Sequence, residues 1–158
     1  MTRLFIKYYF VVFLFAGLLY AEKIAVATKV KGVSEIMKVG SKNFSFLKAG
    51  MILDDGDKVR TGKSGFVAII FIDDKSTLKV KENSEAVITG RRTKKNISKK
   101  INIDGGTIRA SITKQNVDFV IQTPTSVASV KGTDFWMVVD ELLGDPSKAK
   151  KVLGWTPE

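Results

Sequence analysis

The sequence predicts an all-β fold, an antiparallel β-sandwich or roll with an N-terminal signal helix and a short C-terminal helix. Three observations carry that expectation. From Lys23 onward, apolar residues mostly alternate with polar ones, the period of a half-buried strand. The runs are short and rich in Val, Ile, Phe and Thr, which suit a pleated surface. Turn signals separate them at roughly ten-residue intervals: Lys31-Gly32, Asp55-Gly56-Asp57, Asp73-Asp74, Glu82-Asn83-Ser84 and Asp104-Gly105-Gly106.

The first segment has the three parts of an export signal. Arg3 and Lys7 form a positive start, residues 8–21 are uncharged and strongly apolar, and Ala21 offers a small residue for cleavage before Glu22. That apolar run is shorter than the about 20 residues a membrane span needs. Residues 1–21 are therefore expected to be a signal peptide. Leu19, a bulky residue two before Ala21, keeps an uncleaved anchor as the alternative. A buried helix is a poor reading, because the segment is apolar on all faces.

The strands follow in order. "KIAVATKV" puts Ile24, Val26 and Thr28 on one face and Ala25, Ala27 and Lys29 on the other. "VSEIMKV" continues after Gly32. "FVAIIFI" is the most continuous apolar run and is expected to be a central strand buried on both faces. "LKVKENSEAV" sets Leu78 and Val80 against Lys79 and Lys81, so one face meets solvent. "ISKKINI" and "GTIRASI" read as two strands divided by a turn, and "VDFVIQT" and "SVASV" complete the pattern. Thr123-Pro124 should end one strand and begin a corner, since Pro cannot donate to a central ladder. Gly132-Thr133 should permit a bulge or tight bend before Phe135 returns to the core. Phe66, Phe71, Phe119, Phe135 and Trp136 read as core, with Phe135 and Trp136 on opposite sides of their strand. In the tail, Asp145 is a good N-cap, Pro146 suits the first turn and Gly154 suits the end, so residues 147–153 are expected to form about two turns of helix. A helix that short needs Val152, Leu153 or Trp155 to dock on the domain.

With 158 residues, 44% of them hydrophobic, the chain can build one small domain with a real core. It has no Cys and no His. That excludes a thiol nucleophile, a disulfide framework and any Cys or His metal site, and removes the commonest general base. The formal charge is +10, and loss of Arg3 and Lys7 with a signal peptide would leave +8. A basic exported protein favours anionic envelope polymers or an acidic protein surface. Nucleic acid is not expected, as no motif for it occurs.

Two segments concentrate charge. "DDGDK" places Asp54, Asp55 and Asp57 around Gly56. Calcium would suit such oxygens, but the ligand order and closing Glu of an EF-hand are missing, and a plain turn is the favoured reading. "RRTKKNISKK" holds six cations: Arg91, Arg92, Lys94, Lys95, Lys99 and Lys100. These could dock on lipid headgroups, acidic glycans or a partner, or form a solvated hairpin loop; the solvated loop is favoured. Asp73-Asp74 and Asp140-Glu141 are paired carboxylates, but neighbours in a strand point to opposite faces and in a turn to solvent. Neither pair should face the other across a substrate, so no enzymatic activity and no cofactor are expected.

Three segments in order resemble the FecR domain family. "LKAGMILDDGDKVRTGKSGFVAIIF" carries an apolar-Lys-x-Gly turn, then Gly56-Asp57, Thr61-Gly62 and an apolar strand. "DDKSTLKVKENSEAVI" stands where the family has an Asp-Gly-Ser hairpin, with Lys75 in place of the usual Gly and a looser turn expected. "GGTIRASITKQNVDFVIQTPTSVASVKGTDFWMVV" carries Thr123-Pro124 and Gly132-Thr133-x-Phe135. The resemblance covers about residues 23–139 and makes these positions a fold signature. It implies an envelope sensor that signals to a cytoplasmic sigma factor through an N-terminal segment and a membrane span. Only seven residues precede the apolar run, so the resemblance is to the exported domain alone. The tail "LLGDPSKAKKVLGWTPE" looks like the C-terminus of GDP-mannose 4,6-dehydratase, but no Gly-x-Gly-x-x-Gly loop or Tyr-x-x-x-Lys pair accompanies it. The expected organisation is a signal peptide or anchor over 1–21, a β domain over 22–139 and a helical tail over 140–158. Two readings of the tail stand side by side: a truncation or fusion that removes the last strands of the domain, or a native tail with a chance similarity. The expected role is non-catalytic recognition of an envelope protein or anionic polymer, by an exported protein that is periplasmic or anchored facing the periplasm. Strand addition at an open edge is one way it could bind. The alternatives are a sensor component of sigma-factor signalling, or an inactive fragment bearing the dehydratase tail.

Overall fold

The computed structural model describes residues 22–94, 96–113 and 118–130, with the backbone of 134–139 and 152–154. The strands in chain order are β1 (Lys23–Lys31), β2 (Ser34–Met37), β3 (Ser45–Phe46), β4 (Ile52–Asp54), β5 (Asp57–Thr61), β6 (Phe66–Phe71), β7 (Thr77–Val80), β8 (Ser84–Arg92), β9 (Ile97–Ser111), β10 (Phe119–Thr123), β11 (Ser126–Val130), β12 (Asp134–Val139) and β13 (Val152–Gly154). The signal helix expected over 1–21 lies outside the described residues.

Hydrogen bonding arranges the strands in two sheets that share β9. The first sheet runs β4-β1-β6-β7-β9-β12-β13 and the second β3-β2-β5-β8-β9-β10-β11. Every pairing is antiparallel except β10 with β9, which is parallel. The later half of β9, from Gly106 to Ser111, pairs with β12, and Ile108 to Ser111 also pair with β7. Its earlier half pairs with β8 and β10. The expected turn at Asp104-Gly105-Gly106 is therefore a bulge inside one 15-residue strand. Gly106 has φ +97, and a Cβ there would collide with Ser84. A glycine that bends a strand and a glycine that ends one leave the same mark in a sequence.

Both sheets send their buried residues to one core, including Ile36, Val59 and Ile88 from the second and Val67, Ile69 and Leu78 from the first. Each such side chain contributes about 1.5–3 kcal/mol by leaving water. β6 is central as expected, with Val67, Ala68 and Ile69 buried in succession between β1 and β7. β1 departs from its expected two-faced alternation: Ile24, Ala25 and Ala27 are all buried while Thr28 and Lys29 are exposed. Register shifts at both ends of the β1 pairing break the period of two. Phe71 and Phe119 meet edge to face in the core, with ring centroids 5.7 Å apart. Phe66 is half-buried, and the side chains of Phe135 and Trp136 lie outside the described residues.

The C-terminal helix needs correction. Val152 and Leu153, expected in its last turn, lie in β13 and pair antiparallel with β12. β12 therefore has a strand on each side, β9 and β13. Sequence local to the tail supports two helical turns, but backbone pairing with an adjacent strand outweighs so short a helix.

Candidate functional site

The cationic segment is the β8–β9 hairpin. Arg91 and Arg92 end β8, and Thr93 closes the turn by donating its N–H to the Asn96 carbonyl at 2.7 Å. Lys95 lies outside the described residues. Arg91, Arg92, Lys94 and Lys100 are exposed. Cross-strand pairs Thr89–Lys100 and Arg91–Ser98 place these four residues side by side on the outer face of the second sheet. With Asp55 and Gly90 they line an open hollow of about 390 Å³.

Charge on that face is unevenly compensated. Lys58 pairs with Glu85 and Asp104, and Arg60 pairs with Glu35 at 2.7 Å while covering the Phe44 ring at 3.8 Å. Arg92 turns toward Glu22. Arg91 and Lys100 have no acid within salt-bridge distance among the described residues.

Lys99 does not belong to this surface. Its side chain is 0% exposed, and its Nζ lies 2.8 Å from Asp73 Oδ2 and 2.9 Å from Asp74 Oδ2. Strand parity explains the correction: Ile97, Lys99 and Ile101 share the core face of β9. That signal stood in the sequence, hidden by the five other cations of the segment, which read as solvated. Asp73 and Asp74, expected to face solvent from a turn, keep only 4% and 10% of their side chains exposed. Burial works against ionisation of Asp73, but hydrogen bonds from Lys99 and the Ile97 N–H outweigh it and hold its pKa below the usual aspartate value. Asp73 Oδ1 is buried with no hydrogen-bond partner. Asp74 also shapes the turn, accepting from the Ser76 N–H at 2.9 Å and the Ser76 hydroxyl at 2.8 Å. Lys75, where the resemblance led to a Gly being expected, holds φ +64 itself, so the turn takes a left-handed conformation with a lysine in it.

A second lysine and two acids meet at "DDGDK". Asp57 is fully buried, and its Oδ2 accepts from Lys38 Nζ at 2.6 Å and the Asp54 N–H at 2.8 Å, while Oδ1 accepts from the Val39 N–H at 3.0 Å. Lys38 Nζ also reaches Asp54 Oδ2 at 2.7 Å. Asp55 accepts the Gly90 N–H at 2.9 Å. The lysine ammonium thus occupies the place a cation would take, and Gly56, at φ +89, makes the turn. Lys38 was not singled out in the sequence, since a lone lysine in a strand pattern gives no sign of a partner 19 residues away.

The other fold-signature residues also have internal tasks. The Thr61 hydroxyl donates to the Lys81 carbonyl and accepts the Ser84 N–H at 3.0 Å, and Gly62 donates to the Val33 carbonyl at 2.9 Å. Thr123 pairs with Ser126 across a two-residue turn made by Pro124 and Thr125. Thr123 Oγ1 accepts the Thr125 N–H at 3.3 Å. Gly132 and Thr133 lie outside the described residues; Phe135 pairs through its backbone with Ala110. Asp140-Glu141 also lies outside them.

Among the described residues no group of three or more acids could hold a metal ion, and no helix is long and apolar enough to cross a membrane. The sequence profile of the family described as FecR protein matches residues 57–149, from the buried Asp57 to beyond β12. No curated protein and no solved structure matches the chain.

Proposed function

Because this chain belongs to the FecR family, a family of non-enzymatic signalling domains, we propose that it is an exported recognition domain of the cell envelope. Residues 22–139 form the recognition unit, delivered by residues 1–21 and facing the periplasm either free or anchored. Its partner is an envelope protein, bound by strand addition to β11.

The observation that carries this reading is a difference among sheet edges. β3 has two residues, β4 three and β13 three, whereas β11 has five. Short edges resist pairing with other chains, as do charges, Pro and bulges. β11 pairs with β10 without a register shift, and residues 119–130 carry no charge in a chain that is 27% charged. Val127 on β11 is 66% exposed. Among the described residues the far side of β11 has no strand partner. The basic charge of the domain would steer an acidic partner toward it.

Chemical cross-linking of the exported protein in its native envelope tests this. One dominant envelope protein is expected, with recovery reduced by Val127→Lys. Recovery of no envelope protein would overturn the reading.

A second reading rests on the uncompensated Arg91 and Lys100: retention of an anionic envelope polymer in the hollow they line. Binding to peptidoglycan or an anionic polysaccharide should then fall steeply with salt; salt-insensitive retention contradicts it. Service as the sensor component of sigma-factor signalling is the form that strand addition would take if the partner were a membrane receptor. The dehydratase-like tail gives no support to an enzymatic reading, and the family match runs on into it as far as residue 149.

A further inference from the structure

We propose that Lys99 and Asp73 condense to a side-chain amide, with Asp74 carrying the protons, so that the fold is covalently stapled. The cluster holds every group such a step needs. Lys99 Nζ is the nucleophile, 2.8 Å from Asp73 Oδ2. Asp73 Cγ is the electrophile. The Ile97 N–H donates to the same Oδ2 at 2.7 Å, where negative charge develops in the tetrahedral intermediate. Asp74 Oδ2 touches Nζ at 2.9 Å and is placed to take a proton from it. The other Asp73 oxygen, Oδ1, is buried without a hydrogen-bond partner and, with Oδ2 held by the Ile97 N–H, is the one left to depart.

The site is dry. The Lys99 side chain is fully buried, and its Nζ lies 5.3 Å from the centroid of the Phe71 ring, which packs on Phe119. Among the described residues two carboxylates face this one buried ammonium, a costly arrangement. The reactive combination is the minor arrangement, in which the same protons give a neutral amine, a neutral Asp73 acid and one Asp74 carboxylate, against the contacts that favour ionised Asp73. Nζ then attacks Cγ and forms the C–N bond. Asp74 accepts the amine proton and returns it to Oδ1, the C–Oδ1 bond breaks, and water leaves. The product is an amide whose carbonyl oxygen still accepts the Ile97 N–H. No oxidant or co-reactant takes part. The cluster at Lys38 lacks these features: its lysine is 39% exposed and both oxygens of Asp57 are occupied. The staple would join the turn after β6, in the first sheet, to the half of β9 that lies in the second, a brace suited to a domain outside the cell's repair machinery.

The test is the intact mass of the purified full chain under denaturing conditions, followed by proteolysis and fragment sequencing. The expected mass is that of the observed N-terminus onward less one water, with a branched peptide joining the Asp73 and Lys99 segments. Lys99→Arg and Asp73→Ala should restore the full mass, and Asp74→Asn should slow or abolish the loss. An unmodified wild-type mass, or a water loss without the branched peptide, such as cyclisation at Asp55-Gly56 would give, overturns the proposal and leaves an ion pair only. The wild-type measurement decides the matter even if a variant does not fold.

Discussion

Two Asp-rich turns of this chain, "DDGDK" and "DDKS", each gather one distant lysine and two aspartates, yet the results differ. At the first, Lys38 keeps 39% of its side chain in water and every oxygen of Asp57 has a donor. At the second, the lysine is 0% exposed and one aspartate oxygen has none. Composition is alike; burial separates a satisfied clasp at the rim from a buried cluster with one unsatisfied oxygen. An ion pair at the rim is worth little, whereas breaking a buried one is costly because it strands a charge.

The largest expected effect follows from that asymmetry. Lys99→Met strands two buried carboxylates and should cost about 3–5 kcal/mol of stability in urea unfolding. A loss below about 1 kcal/mol would place both clusters in the same class. Asp57→Ala comes next: it removes the acceptor of Lys38 and of two backbone N–H groups and should cost about 2–3 kcal/mol. Lys38→Ala leaves those two backbone bonds to Asp57 intact and should cost about 1 kcal/mol.

Acid unfolding sharpens the contrast. The folded pKa of Asp73 is held below the ordinary 3.8, so its stabilisation is present above that value and is lost as pH falls through the lowered one. Once the amide forms, that carboxyl no longer titrates. Asp74→Asn, which keeps the ion pair but removes the proton carrier, should therefore lose folded signal more steeply below about pH 3.8 than the wild type, read by circular dichroism against pH. Identical curves would count against the amide. The smallest effect is a gain: Lys75→Gly relieves a left-handed residue and should add about 1 kcal/mol to the unfolding free energy, while a loss would mean the Lys75 stem packs usefully.

The β architecture was readable because Val, Ile and Thr alternate over short runs, a periodicity that depends on each strand alone. What escaped the sequence depended on partners. "ISKKINIDGGTIRASI" reads as two strands because Gly105-Gly106 looks like a turn, and only Ser84 opposite Gly106 makes it a bulge. Val152 and Leu153 read as helix because their strand exists only beside β12. The candidate site was legible in part: parity put Lys99 with Ile97 and Ile101, but local charge density suggested solvent. Gly56-Asp57 and Thr61-Gly62 stood out in the sequence, but what holds them in place comes from Lys38, Val33 and Ser84, residues far off in the chain.

With the conspicuous acids and Lys99 engaged internally, recognition falls to the surface, above all to the uncharged edge at β11. Site-specific photo-cross-linking in the native envelope tests this most directly, with the reactive group at Val127 on that edge and, as control, at Val39, which is exposed on a loop. The account expects one envelope protein captured from Val127 and not from Val39. Capture of nothing from Val127, or of the same protein equally from both positions, would contradict it.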